Sequence, residues 1–379
     1  MRVLMTGGGT AGHVNPAIAI ANTIKEYESD VEIAFVCSCQ ARDKAQDLVP
    51  RAGYEKLYKV NILPSHKVYD PRNVKTLISM VKSKSEARAI IEEFKPDVII
   101  GTGGFACYPV LNAGAEMGIP TIVHESNAIA GRAVLKLAPK VDCVMTNFES
   151  TAKDLKRAKL VMNVGNPQVV GQSKSLDASK IADGFERSVL IFGGSLGAES
   201  LNRAVAEMLE RIADKYPETE FFHASGNRDF EDMKAIYSEK GLDKKGNVKL
   251  VDYIYDMSAR MPRADLVISR AGAMTISELS MLRKAAILVP SPFVAANHQY
   301  KNARSLSDVG ACSLVDEKKV GKDESVVDVE RLISETERLL GSESAREALK
   351  SEIVKFARPD ANRVIYDEIK RIISEKNKK

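Results

Sequence analysis

The 379-residue sequence contains no tryptophan, few cysteines and no apolar run of membrane-spanning length. Apolar stretches such as 97–101 and 285–290 are far shorter than the roughly 20 residues needed to cross a bilayer. The glycines at 7–9 interrupt the first apolar run, so no secretory signal is expected at the N-terminus. These absences predict a cytoplasmic protein without a spanning helix.

Cysteine usage and charge exclude further classes. The five cysteines include no Cys-x-x-Cys pair, and their odd number argues against a disulfide framework. We expect reduced thiols that pack as small apolar groups. The net charge of +4 is modest, and there are no dense basic stripes with stacking aromatics, which argues against nucleic-acid binding. No cluster of Asp or His has convincing metal-ligand spacing, so no metal is expected. No other cofactor is expected either.

The chain alternates short apolar strands, glycine-rich turns and helical periodicity, which predicts parallel α/β units. A first strand, Arg2–Met5, runs into a glycine loop, and Asn15 is expected to cap the next helix with Pro16 at its first position. A second strand and glycine loop start at Ser188, after a polar, unpatterned stretch at 166–187 that we expect to be the linker. The remaining expected strands are 31–36, 97–100, 121–123, 142–145, 248–251, 265–269 and 287–289. The fold class predicted is α/β, with two Rossmann-like domains facing across a cleft.

The first loop, Gly7-x-Gly9-x-x-Gly12, matches the dinucleotide fingerprint, in which backbone amides bind an anion at a helix N-terminus. An NAD enzyme also needs an acidic residue at the end of the second strand. The last residues of that strand, at 35–38, include no carboxylate, which argues against an NAD oxidoreductase. The glycine loop could also be a tight turn that binds no ligand. Because each half of the chain carries such a loop after a strand, where open α/β sheets bind ligands, this interpretation is disfavoured. Two glycine loops suit two phosphate-bearing substrates.

Taken together, the motifs resemble the MurG family of bacterial glycosyltransferases over about 300 residues, each piece being weak alone. The segments that carry the resemblance are GGTAGH (8–13), GTGGF (101–105), HESN (124–127), GNP (165–167), FGGSLGA (192–198), RAGAMTISE (270–278) and NHQ (297–299). The resemblance implies a GT-B fold. It also implies an inverting, metal-independent transfer of N-acetylglucosamine from UDP-GlcNAc to the MurNAc 4-hydroxyl of lipid I, which forms lipid II in peptidoglycan synthesis. The family serves cell-wall biogenesis, cell shape and cell division.

The resemblance further implies a division of labour. Residues 1–165 would form an acceptor and membrane-facing domain, onto which a C-terminal helix at about 357–379 packs back, and 166–356 would bind UDP-GlcNAc. His13 is the expected general base, with Glu125 in reserve, and Gly103, Gly104 and Glu125 are placed on the acceptor side. The expected UDP-GlcNAc contacts are Thr10, Ala11, Gly12, Asn127, Ser195, Ile254, Ala273, Met274, Thr275, Ile276, Ser277, Glu278 and Gln299.

Several of these residues have a plainer interpretation. Thr275-x-x-Glu278 is itself a capping-box pattern, which would occupy the glutamate without any ligand. Ser195 could be a turn or cap serine, and Gln299 an exposed loop glutamine. Gln168 and Val169 stand where the family usually supplies an arginine, which leaves one expected phosphate or sugar contact open.

The expected partners are UDP-GlcNAc, lipid I and the anionic cytoplasmic face of the bacterial membrane, where the protein would be peripheral. Residues 59–88 interleave basic and apolar side chains, a pattern typical of a surface that docks on anionic lipid or of an amphipathic helix packed on its own domain. Three other functions stay open: transfer to diacylglycerol, a UDP-GlcNAc 2-epimerase-like reaction, and nucleotide binding without catalysis. The partner enzymes and the stem peptide of the acceptor do not follow from the sequence.

Overall fold

The computed structural model describes residues 1–63, 73–167, 184–194 and 197–378, without the side chains of 73–78, 295 and 377. The chain divides into two compact units. The first comprises 1–168 together with 358–379, and the second comprises 169–357.

The first unit is built on a parallel sheet of order β3-β2-β1-β4-β5-β6-β7. A helix connects each strand from β1 to β5 to the next strand along the chain, and the apolar residues of the strands are buried on both faces of the sheet. The strands are β1 (Arg2–Thr6), β2 (Glu32–Ser38), β3 (Leu57–Val60), β4 (Val98–Gly101), β5 (Thr121–Glu125), β6 (Cys143–Thr146) and β7 (Val161–Asn163).

Helices cover both faces of this sheet. In α1, Ala17, Ile20, Ala21 and Ile24 recur at helical spacing, and all four are fully buried against the sheet. The C-terminal helix α13 packs on α1, where Tyr27 and Tyr366 stack with ring centroids 4.8 Å apart. The helices of this unit are α1 (Ala11–Tyr27), α2 (Ala45–Arg51), α3 (Asn73–Phe94), α4 (Cys107–Glu116), α5 (Arg132–Leu137) and α13 (Ala361–Asn377).

The second unit repeats the architecture on a parallel sheet of order β10-β9-β8-β11-β12-β13, with a separate antiparallel hairpin formed by β14 and β15. The strands are β8 (Arg187–Phe192), β9 (Thr219–Ala224), β10 (Val248–Val251), β11 (Leu266–Ser269), β12 (Ala285–Leu288), β13 (Ser313–Leu314), β14 (Glu317–Lys319) and β15 (Ser325–Val327). The helices are α6 (Glu199–Ile212), α7 (Phe230–Glu239), α8 (Met257–Arg263), α9 (Ala273–Met281), α10 (His298–Ser307), α11 (Val329–Gly341) and α12 (Glu343–Ile353).

Two Rossmann-like domains, each opened by a strand and a glycine loop, are therefore confirmed. The expected strands are present with ends displaced by at most two residues. The expected start of α1 is wrong, because the helix begins at Ala11 and places Asn15 and Pro16 inside it. The physical reason is that the backbone N–H groups of His13 and Val14 both donate to the Thr10 carbonyl oxygen, at 3.0 and 3.2 Å, so the loop itself forms the first turn. Within the described ranges, no helix is both long and apolar enough to cross a membrane.

Candidate active site

Two glycine loops meet at the carboxyl edge of the first sheet. β1 and β4 are neighbours, with Thr6 paired to Gly101, so the loops that follow them emerge side by side. These are called the first loop (7–12) and the second loop (102–105). This is the point where the strand order reverses, at which open α/β sheets bind ligands. Gly104 has φ +82°, and a Cβ there would lie 2.1 Å from the carbonyl oxygen of Gly8. The contact between the two loops therefore requires glycine at position 104.

His13 lies in the first turn of α1 and rests on the second loop. Its Nδ1 is 3.2 Å from the Thr10 hydroxyl, and the hydroxyl of Thr102 donates a 2.6 Å hydrogen bond to its backbone oxygen. A Cβ on Gly103, which has φ +99°, would lie 2.8 Å from the His13 Cδ2. The structure thus brings the expected base together with Gly103 and Gly104, the expected acceptor-side glycines.

The HESN segment follows β5, the next strand of the sheet, and its histidine is structural. His124 is fully buried, and its Nε2 lies 2.8 Å from the Gly165 carbonyl oxygen, to which it donates. Burial lowers the pKa of His124 to about 4, so the ring stays neutral near neutral pH.

Glu125 organises the same segment. One carboxylate oxygen accepts from the backbone and side-chain nitrogens of Asn127, each at 3.0 Å, and the other accepts from the backbone of Gly131 at 2.8 Å. The side chain is 6% exposed, and burial raises its pKa while these hydrogen bonds oppose the rise. Both carboxylate oxygens of Glu125 are therefore engaged in holding the 125–131 segment.

In the second unit the equivalent edge lies between β8 and β11, where Phe192 pairs with Ser269. A cavity of about 450 Å³ opens beside the glycine loop that follows β8, called the third loop. Gly193, Gly197 and Gln299 are among the residues that line it. Gln299 accepts a 2.9 Å hydrogen bond at Oε1 from the backbone of Ser291, and no described residue binds its amide nitrogen. Ser195, the expected phosphate contact, lies outside the described residues.

An ion pair that the sequence did not suggest, Arg270 with Glu317, is part of the lining of this cavity. Arg270 binds the carboxylate of Glu317, and the two side chains are 11% and 0% exposed. Ser200 and Ser325 both donate to the same glutamate, at 2.7 and 2.5 Å. Arg270 stands inside a recognisable motif, but Glu317 carries no sequence signal because it lies on the hairpin 47 residues away.

The helix α9 presents Glu278. The helix begins at Ala273 after Gly272, so Thr275 is inside the first turn and the capping-box interpretation is wrong. Within the described residues, no group donates a hydrogen bond to the Glu278 carboxylate, and burial raises its pKa to about 7. Its neighbours Ala273 and Ile276 are buried, whereas Met274, Thr275 and Ser277 are half-buried. The glutamate is therefore left available for a ligand.

The remaining expected donor residues lie on separate elements. Ile254 is 5% exposed in the loop after β10, directly before α8. Thr10 and Gly12 are exposed and Ala11 half-buried at the start of α1. Across the described part of the chain, no group of three or more His, Cys, Asp or Glu is placed to hold a metal ion.

Both units match domains of one protein family. Residues 3–146 match the glycosyltransferase family 28 N-terminal domain, and 188–360 match the family 28 C-terminal domain. The chain belongs to glycosyltransferase family 28. Apart from the first residue of β1 and of β8, the first matched range contains β1 to β6 and the second contains β8 to β15, so each includes the glycine loop that follows its first strand.

Relatives within family 28 match over their full length. The UDP-N-acetylglucosamine--N-acetylmuramyl-(pentapeptide) pyrophosphoryl-undecaprenol N-acetylglucosamine transferase of Limosilactobacillus fermentum is 34% identical over 383 residues, which is 100% of both chains. The crystal structure of Acinetobacter baumannii MurG has a TM-score of 0.74 at 26% identity and covers 98% of this chain and 99% of that one. The structure of UDP-GlcNAc 2-epimerase from Neisseria meningitidis has a TM-score of 0.64 and covers 98% of this chain and 100% of that one. At 16% identity, this similarity shows the fold alone.

Proposed function

We propose that this family 28 enzyme transfers N-acetylglucosamine from UDP-GlcNAc to the 4-hydroxyl of MurNAc in lipid I, forming lipid II. The full-length match to relatives that bear this activity in their names supports the proposal. The observation that carries it is the meeting of two glycine loops around His13, which combines an anion-binding edge with a proton acceptor.

The second unit holds the donor. Glu278 accepts hydrogen bonds from the ribose hydroxyls, because its carboxylate has no donor among the described residues. The backbone of Ile254 faces the uracil, and the Gln299 amide nitrogen reaches the sugar hydroxyls. Backbone N–H groups of the third loop and the N-terminus of α9 stabilise the charge on the departing UDP. Ser195 is assigned to the diphosphate from the motif alone.

The first unit activates the acceptor. The 4-hydroxyl oxygen attacks the anomeric carbon, and the imidazole of His13 takes its proton. As the new C–O bond forms, the bond between the anomeric carbon and the phosphate oxygen breaks, so UDP leaves with the electron pair. Attack from the face opposite UDP inverts the anomeric centre. His13 must be neutral to accept the proton, which the positive end of the α1 dipole favours.

Replacement of His13 by Gln tests this assignment. We expect kcat for lipid II formation to fall by about 10²–10⁴-fold, the usual loss for a general base, with little change in UDP affinity. The acidic limb of the pH–rate profile should disappear with it. Near-normal turnover in His13→Gln, combined with loss of turnover in Glu125→Gln, would transfer the base role to Glu125.

The same assay separates the alternative reactions. UDP-GlcNAc is offered with lipid I, with diacylglycerol or alone, and the products are a glycosylated lipid I, a glycosylated diacylglycerol or a 2-epimerised sugar nucleotide. The proposal requires the first product only. Tight UDP binding without any product would indicate a nucleotide-binding protein.

A lipid-linked acceptor implies docking on the cytoplasmic face of the membrane. The segment expected to dock, 59–88, is only partly described, and Lys67, Arg72 and the side chain of Lys75 lie outside the described residues. Of the described basic residues, Lys84 and Arg88 both bind Glu116 at 2.7 Å.

Each basic residue near an anionic leaflet contributes about 1 kcal/mol. Charge reversal at Lys67, Arg72 and Lys75 should therefore weaken co-sedimentation with anionic vesicles, and the wild-type interaction should weaken with added salt. Unchanged binding of the triple variant would exclude this segment as the docking surface.

A further inference from the structure

A buried carboxylate holds the first glycine loop from one side. Asp43 is 1% exposed and lies five residues beyond the end of β2. It accepts a 2.8 Å hydrogen bond from the backbone N–H of Gly9, and further bonds of 2.9–3.1 Å from the backbone and hydroxyl of Ser38 and the backbone of Ala45. A Cβ on Gly8 would lie 2.6 Å from the same carboxylate. Asp43 therefore ties the loop to the end of β2.

A buried hydroxyl holds the loop from the other side. Thr102 is 3% exposed at the start of the second loop, and it donates to the backbone oxygen of His13 at 2.6 Å. A Cβ on Gly7 would lie 2.2 Å from the Thr102 hydroxyl oxygen, so the two loops are in close contact. This bond joins residues 89 positions apart and ends on the backbone of the histidine itself.

We infer that Asp43 and Thr102 are positioning residues, which together fix the first loop and aim the imidazole of His13 at the acceptor hydroxyl. The inference rests on the proposed role of His13 as the base. The loop contains three consecutive glycines at 7–9, and glycine has more backbone freedom than any other residue. A general base, in contrast, must be held close to its productive geometry. A clamp from both sides supplies the restraint that the loop sequence lacks.

The placement of the hydrogen bonds supports a positioning role for Asp43 and Thr102 and not only a role in core packing. A buried carboxylate is costly to desolvate, and an apolar side chain would usually serve a core position better. Here the charge is directed at backbone N–H groups, one of them in the loop that leads to His13. Thr102 likewise donates to the backbone oxygen of His13, in the first turn of α1, and not to an acceptor within its own loop.

The decisive variant is Thr102→Val, which keeps the shape and removes the donor. We expect kcat to fall roughly 10–100-fold, because the catalytic imidazole would be displaced from its productive position. The UDP affinity and the KM for UDP-GlcNAc should each change less than about twofold. Thr102→Ser, which restores the hydroxyl, should recover most of the rate. The matched control is Thr23→Val, because Thr23 is fully buried on α1 and its hydroxyl donates to the Ala19 carbonyl at 2.9 Å, away from the loop.

A loss of turnover in Thr102→Val with the same melting temperature as Thr23→Val supports positioning. Equal turnover in Thr102→Val, Thr23→Val and wild type would overturn the role of Thr102. Equal losses in both valine variants would show a general stability effect and overturn it as well.

Asp43→Asn tests the second half of the clamp with a readout that does not need turnover. The ring resonances of His13 are followed by NMR in protein labelled at its histidines and assigned by their loss in His13→Gln. We expect Asp43→Asn and Thr102→Val each to shift these resonances and the midpoint of their titration, while Thr23→Val leaves both unchanged.

Unmoved His13 resonances in a folded Asp43→Asn protein would overturn the role of Asp43. The proposed function is tested independently of the clamp, because it would be refuted if the wild-type enzyme made no lipid II. In that case the resonances still report whether the loop is clamped.

Discussion

The most informative single substitution is Glu278→Gln, because it should strengthen the fold and weaken the function together. Burial raises the pKa of Glu278 from the ordinary value of 4.5 to about 7. The folded protein therefore binds this proton more tightly than the unfolded chain does, and stability is lost as pH rises from about 4.5 to 7. At about 1.4 kcal/mol per pH unit, the ionised carboxylate costs the fold about 3 kcal/mol above pH 7.

Glutamine has the same size and no charge to bury. We expect the variant to unfold with a free energy about 1–3 kcal/mol higher than wild type at pH 8, and with almost no gain near pH 4.5, where Glu278 is already protonated. Urea denaturation at the two pH values measures this difference. Glu239→Gln, which removes one exposed charge from α7, controls for the change in net charge.

Binding should move in the opposite direction. A charged acceptor for the ribose hydroxyls is worth roughly 1.5–3 kcal/mol, so UDP-GlcNAc should bind about 10–100-fold more weakly to Glu278→Gln. If only the ionised carboxylate binds, wild-type affinity at pH 6 should be about tenfold lower than at pH 8. The variant should lose this pH dependence, as titration calorimetry at pH 6, 7 and 8 would show. Equal affinities of variant and wild type at pH 8, or a variant less stable at that pH, would refute the reasoning.

Two further substitutions test the ion pair that lines the cavity and the contact between the first two glycine loops. Glu317→Gln leaves the buried Arg270 guanidinium without its counter-ion, which should lower the free energy of unfolding by about 3–5 kcal/mol in urea; a loss below about 1 kcal/mol would show that the pair is dispensable. Gly104→Ala places a methyl 2.1 Å from the Gly8 carbonyl oxygen and should cut kcat at least about tenfold through displacement of the first loop. Gly53→Ala, at the same φ of +82° but with open space around it, isolates the backbone strain, and equal effects of the two alanines would contradict the loop contact.

Local patterns along the chain were sufficient to predict the architecture and the identity of the glycine loops. Short apolar strands followed by glycines and helical periodicity are near-neighbour signals, and the parallel sheets follow from their alternation. The family motifs likewise lie in short, continuous segments. For this reason the sequence by itself was enough to propose His13, Gly103, Gly104 and Glu278 as site residues.

Long-range contacts were decided only by the tertiary structure. The capping-box interpretation of Thr275 is wrong because Gly272 occupies the N-cap, and the helix begins at Ala273, two residues before Thr275. Asp43 carries no sequence signal, since it lies five residues beyond the strand tip where the NAD fingerprint requires a carboxylate. The fold nevertheless brings it to the Gly9 amide, 34 residues away. Hydrogen bonds of this kind depend on which loops the sheet order brings together, and strand order is set by the packing of the whole domain and not by local sequence.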